Sequence, residues 1–147
     1  MWKDGSKYQG EWEKNLISGY GIYHFADKRL YYGEWNNNKI NGVGHFKWPD
    51  GKKYWGNFKN DKREGFGIFL WTDPEIKCYI GFWKNGKQNG LGKFITKKTK
   101  LSIWKNGKVL KKLNDYLECL NYLKNENKIY LQYFYYDLNK VVEILRN

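Results

Sequence analysis

From Tyr8 to about residue 99 the chain alternates apolar and polar positions with a period of two. That period belongs to half-buried β-strands, not helices. Tyr8, Gly10 and Trp12 fall on one face, and Gln9 and Glu11 on the other. On the next strand Gly19, Gly21, Tyr23 and Phe25 share a face, with Phe46/Trp48, Phe69/Trp71 and Phe94/Thr96 as later equivalents of its last two. Polar stretches at Asn15–Ser18, Asn36–Asn41 and Asn85–Asn89 join such runs, so each pair reads as a β-hairpin. From Val109 the spacing changes to three- and four-residue steps through Leu110, Leu113, Leu117, Leu120 and Leu123. Residues 109–147 therefore read as helix in two pieces, broken near Asn125-Glu126-Asn127 and capped at Asn114. We expect them to cap or lie across the end of the sheet, burying its last aromatic face. Residues 129–136 are apolar nearly all round a helix, so something must cover them.

The strand pattern repeats. Tyr8-Gln9-Gly10-Glu11-Trp12 recurs as Tyr31-Tyr32-Gly33-Glu34-Trp35, Tyr54-Trp55-Gly56-Asn57-Phe58 and Tyr79-Ile80-Gly81-Phe82-Trp83. Each is followed by Gly-x-Gly, at Gly19/Gly21, Gly42/Gly44, Gly65/Gly67 and Gly90/Gly92. The step is 23 residues from Trp12 to Trp35 and from Trp35 to Phe58, then 25 to Trp83. This divides the array into a half-repeat at 1–7, full repeats at 8–30, 31–53, 54–78 and 79–99, and a degenerate repeat at 100–108. The opening Trp2-Lys3-Asp4-Gly5 matches Trp48-Pro49-Asp50-Gly51, so the array starts in mid-repeat, as a capping half-unit or a piece of a longer array. Glycine weakens a strand, and its recurrence implies that bulky rings lie close over the backbone. Stacked hairpins of this kind build a quasi-one-dimensional array.

The Tyr-x-Gly-x-Trp…Gly-x-Gly unit resembles the MORN repeat (membrane occupation and recognition nexus), over residues 2–108. Phe58 stands for Trp, and Asn57 and Phe82 for Glu. The resemblance implies a mainly β fold: an elongated, twisted antiparallel sheet of stacked hairpins, followed here by a C-terminal helix or helical hairpin. It also implies a rigid scaffold or adaptor at membranes or cytoskeletal structures, in some cases holding a long helix along the sheet.

Charge adds one feature. Lys+Arg number 27 against 15 Asp+Glu, and the balance sits in the array: residues 1–108 carry 21 basic and 10 acidic side chains. Between Glu75 and Asp115 there are eleven lysines and no acid. Such a run is a solvated face or an anion-binding one. No apolar h-region follows Met1 and Cys is limited to two residues, so a cytoplasmic chain with reduced thiols is expected.

Catalytic and metal motifs fail on spacing. Gly81-Phe82-Trp83-Lys84-Asn85-Gly86-Lys87-Gln88 approaches a P-loop, but Gln88 replaces the Mg²⁺-binding hydroxyl and no helix follows. His24, His45, Cys78 and Cys119 lack metal-ligand spacing. Glu11 and Glu34 read as surface acids paired with cross-strand lysines. No enzyme activity, metal or cofactor is expected.

Binding remains. The first expectation is a protein partner, helical or extended, in an aromatic groove lined by Tyr8, Trp12, Tyr31, Trp35, Tyr54 and Trp83. The alternative is an anionic phospholipid surface met by the Lys77–Lys112 region, through Lys93, Lys97, Lys98, Lys100, Lys105 and Lys108. Nucleic acid ranks last, because Arg is limited to Arg29, Arg63 and Arg146. An open sheet also has free edges, which makes a homodimer a further expectation.

Overall fold

A computed structural model describes residues 1–123 and 125–146, without the side chains of Asn125 and Glu126. Ten antiparallel strands follow one another in a single open sheet in chain order. They are β1 (Lys7–Glu13), β2 (Leu16–His24), β3 (Leu30–Asn36), β4 (Lys39–Lys47), β5 (Lys53–Lys59), β6 (Lys62–Trp71), β7 (Lys77–Lys84), β8 (Lys87–Ile95), β9 (Thr99–Lys105) and β10 (Lys108–Leu113). After the sheet come α1 (Tyr116–Leu120), a 3₁₀ segment (Asn125–Tyr135) and α2 (Leu138–Leu145).

The hairpin turns are tighter than the polar stretches suggest. Each has two central residues at positive φ, as in Asn37 (48°) and Asn38 (68°) or Asn85 (50°) and Gly86 (80°). That is the geometry whose twist matches paired strands, and Asn and Gly tolerate it best. These turns also bind one hairpin to the next. Asn38 donates its N–H to the Ile17 carbonyl and accepts the Ile17 N–H on its side chain at 2.8 Å; Asp61 does the same with Ile40.

The two glycines of each Gly-x-Gly have different causes. Gly42 adopts φ 103° where the strand bulges, a backbone that L-residues rarely take. Gly44 has no such demand; a Cβ there would run into the Tyr31 ring, which lies across it. The Tyr31 hydroxyl then donates to the Glu34 carbonyl at 2.9 Å, and Tyr54 and Tyr79 repeat this with Asn57 and Phe82.

Glu11 and Glu34 are not partners of cross-strand lysines. Their carboxylates accept the bulge N–H groups of Tyr20 and Val43. In the third repeat Asn57 reverses the polarity, donating Nδ2 to the Phe66 carbonyl at 3.1 Å. The acid position is thus a backbone cap, the reason a short polar chain recurs there.

Three C-terminal expectations change. The degenerate repeat is a complete hairpin, β9–β10, and residues 109–113, within β10, are strand, not helix. The Asn106-Gly107 turn overrides the leucine spacing that suggested helix. The cap of α1 is Asp115, which accepts the Glu118 N–H at 2.9 Å, while Glu118 reaches back to the Asn114 N–H.

Finally, the C-terminal segment does not cover the tyrosine-tryptophan face. It lies on the reverse face over β5–β8, where Tyr130 stacks on Phe66 at 4.3 Å and Tyr133 meets Trp55 at 5.9 Å. Its 3₁₀ pitch explains the fit, because residues three apart eclipse and Tyr130, Tyr133 and Tyr136 form one row. Phe134, Val141 and Leu145 complete this second core with Ile68, Leu70 and Ile80.

Candidate binding face of the array

On the aromatic face the tyrosines that cross the glycines are core. Tyr31 and Tyr54 keep no exposed surface, so they are unavailable as groove lining. Trp35 and Trp83, at 7 % and 5 %, form the floor of two clefts. Tyr8 is half-buried and Trp12 is open, because β1 is the edge strand of the described sheet and no described hairpin packs outside it.

A second aromatic row, begun by Trp2, runs along the ends of β2, β4, β6 and β8. Trp2, Tyr23, Phe25, Phe46, Trp48, Phe69, Trp71 and Phe94 touch in succession, with centroid separations of 5.6, 4.6, 5.6, 4.5, 5.3, 4.3 and 5.9 Å. Of these, Phe25, Trp48, Trp71 and Phe94 stay half-exposed. Recurrence of Phe/Trp one turn before each Tyr was the sequence signal for this rail; the Tyr-x-Gly-x-Trp motif drew attention away from it. A cation accompanies the rail in each of the first three full repeats: Arg29 over Phe25 at 4.7 Å, Lys52 over Trp48 at 5.6 Å, Lys77 over Trp71 at 5.8 Å. Each contact joins a cation to the negative face of a ring.

Asp27 and Asp50 hold Arg29 and Lys52 at 2.7 and 3.3 Å; the Arg29 side chain lowers the Asp27 carboxyl pKa, and the Lys52 backbone N–H, donating to Asp50 at 3.0 Å, lowers that of Asp50. Deeper, Arg63 lies 4.8 Å from the Trp83 ring and donates to the Gly86 carbonyl at 2.9 Å, leaving its Nε unsatisfied. Burial lowers its pKa. Two clefts of ≈ 630 and ≈ 380 Å³ lie along this face, one beside Phe25 and Arg29, the other beside Trp48, Lys52 and Arg63.

The lysines expected to form one lipid-binding cluster are dispersed. Lys93 is buried on the reverse face, its amine donating to the Phe134 and Tyr136 carbonyls at 2.7 and 2.9 Å, so it pins the C-terminal segment. A charge so enclosed is not free for a headgroup. Lys97, Lys98 and Lys100 are exposed around the β8–β9 connection. Lys105 and Lys108 face each other at the opposite end of β9, beside the turn. There they continue a pattern: Lys59 opposes Lys62, and Lys84 opposes Lys87. All six are exposed, and none forms an ion pair with a described acid.

Cys78 and Cys119 are buried thiols, pushed up to about 12 and about 11 by desolvation. His24 and His45 sit on strands, and no cluster of metal-ligating side chains occurs among the described residues.

The MORN repeat family model matches residues 8–28, 31–53, 54–73 and 79–97, more than half of the chain. The chain belongs to the MORN-repeat family. Its matched units are four of the five hairpins, and the fifth, β9–β10, continues the same sheet beyond them. No curated protein matches the chain. MORN repeats are in general non-catalytic binding modules, and a repeat-based binding or scaffold role follows for this array.

Proposed function

We propose that this array is a scaffold that holds a protein segment, helical or extended, across its strands on the aromatic face, at a membrane or cytoskeletal structure. The unbroken rail from Trp2 to Phe94, with a cation at Phe25, Trp48 and Trp71, supports this reading. Successive hairpins lie about 9.6 Å apart. Seven residues of α-helix rise about 10.5 Å, so a helix with an apolar side chain every seventh position meets one rung per hairpin. Acidic flanks on that helix suit Lys52 and Lys77. The test uses a synthetic amphipathic peptide of about three heptads, with Leu at that spacing and Glu beside it. Tryptophan fluorescence should report binding that Trp48→Ser with Trp71→Ser weakens at least about tenfold, while Tyr32→Ser on the reverse face leaves it unchanged. Equal binding by all variants would reject the aromatic face as the site.

A second reading, an anionic phospholipid surface, is favoured by the paired lysines of the turn edge. Each lysine near an anionic leaflet contributes about 1 kcal/mol. Co-sedimentation with phosphatidylserine vesicles should then be lost on reversing Lys84, Lys87, Lys105 and Lys108 to Glu. Loss on reversing Lys97, Lys98 and Lys100 instead would move the contact to the opposite edge.

A further inference from the structure

A row of glycines crosses the sheet. Gly92 lies opposite Gly81, which lies opposite Gly67, and the row passes through Gly56, Gly44, Gly33 and Gly21 to Gly10. Gly10 is the central residue of β1, the edge strand, and among the described residues no strand opposes it on the outer side. The corresponding edges of β3, β5, β7 and β9 each carry an uninterrupted ladder to the strand before. β1 therefore presents an edge that every equivalent strand uses for regular pairing. Such an edge is a template for another strand.

We infer that the occupant is a second copy of this chain, joined by antiparallel β1–β1′ pairing about a twofold axis through Gly10. This register extends the glycine row, with Gly10 facing Gly10 of the other copy. It sets Tyr8 opposite Trp12 of that copy on the aromatic face, Gln9 opposite Glu11, and Lys7 opposite Glu13. Directly opposed aromatic pairs and opposite charges both stabilise antiparallel strands. The tryptophan at stake is the open one. Trp35 is 7 % exposed because Tyr8 and Tyr23 of the preceding hairpin pack at 5.8 and 5.6 Å, whereas Trp12 is 54 % exposed.

The far edge does not offer this complementarity. β10 carries Lys108, Lys111 and Lys112 and no acid, so two copies of it would bring six like charges together. Pairing through β1 joins two ten-stranded sheets with their aromatic faces on the same side and their two rails on opposite sides of the shared glycine row. Because an isologous contact closes on itself, the assembly stops at the dimer.

Sedimentation of the full chain at about 50 µM, where a dimer of micromolar Kd is mostly formed, tests the inference. The native chain should sediment as a dimer. Lys7→Glu and Glu13→Lys each replace two opposed-charge contacts with two repulsive ones and should raise Kd by about tenfold. Both side chains are exposed, so circular dichroism should report unchanged folds. Mixing the two single variants should restore a heterodimer, and Lys7→Glu/Glu13→Lys should restore the homodimer. A monomeric native chain, or a dimer indifferent to these exchanges, would overturn the inference.

Discussion

Gly67→Ala isolates the interaction on which the repeat is built. Gly67 lies in an ordinary strand conformation, so alanine meets no backbone penalty there, but its Cβ would lie inside contact distance of the Tyr54 ring. That ring is fully buried. It sits edge-on to Phe58 at 5.0 Å and Trp83 at 5.6 Å, and its hydroxyl is tied to the Asn57 carbonyl at 3.0 Å. Overpacking a rigid core costs about 1–3 kcal/mol. With no direction for the ring to move, we place Gly67→Ala at the upper end, about 3 kcal/mol, or a Tm loss of about 6–12 °C for a chain of this size. The same change at Gly21 provides an internal comparison. Its obstacle is Tyr8, which is half-buried on the edge strand and can swing outward. Gly21→Ala should cost about 1 kcal/mol. Urea denaturation of the two variants in dilute solution measures the difference. Adding Tyr54→Phe to Gly67→Ala removes the nearest obstructing atom and should return part of the loss. Equal destabilisation at the two sites, or a neutral Gly67→Ala, would refute the view that ring clearance selects glycine.

Two further outcomes follow from the reverse face. His45, stacked on Tyr32 at 4.5 Å, is lowered to about 4 by burial and by Lys47. The unfolded chain takes up this proton near pH 6.5 and the folded chain only near 4. Stability is therefore full above pH 6.5 and falls through that window, by about 2 kcal/mol after allowance for partial solvation; urea melts of the native chain and His45→Phe at pH 7 and 4.5 should show this slope only in the former. Lys93→Glu sets a carboxylate against the Phe134 and Tyr136 carbonyls in place of the amine. Hydrogen exchange should then show residues 125–146 released while β1–β7 stay protected; unchanged protection of the segment would mean that its aromatic contacts alone hold it.

Neighbour contacts were legible in the sequence because they are encoded within one repeat. The 23-residue period, the strand alternation and the obstruction of glycine by tyrosine all follow from the Tyr-x-Gly-x-Trp and Gly-x-Gly spacings, and they place the hairpins in chain order. The same spacings concealed part of the candidate site. Tyr31 and Tyr54 recur because they are core, so recurrence pointed to them as groove lining, while the half-exposed aromatics Phe25, Trp48 and Trp71 stand at the ends of the preceding strands β2, β4 and β6.

Tertiary structure alone decided which face the C-terminal segment covers. An alternating strand defines two faces but does not say which is solvated, and from Trp55 onward both are apolar: Phe66, Ile68 and Leu70 on one, Phe69 and Trp71 on the other. The choice rests on contacts more than forty residues apart, such as Lys93 to Phe134 and Tyr136, and Phe66 to Tyr130. Local spacing cannot encode such contacts, because side chains from separate segments must meet before their fit has any energy.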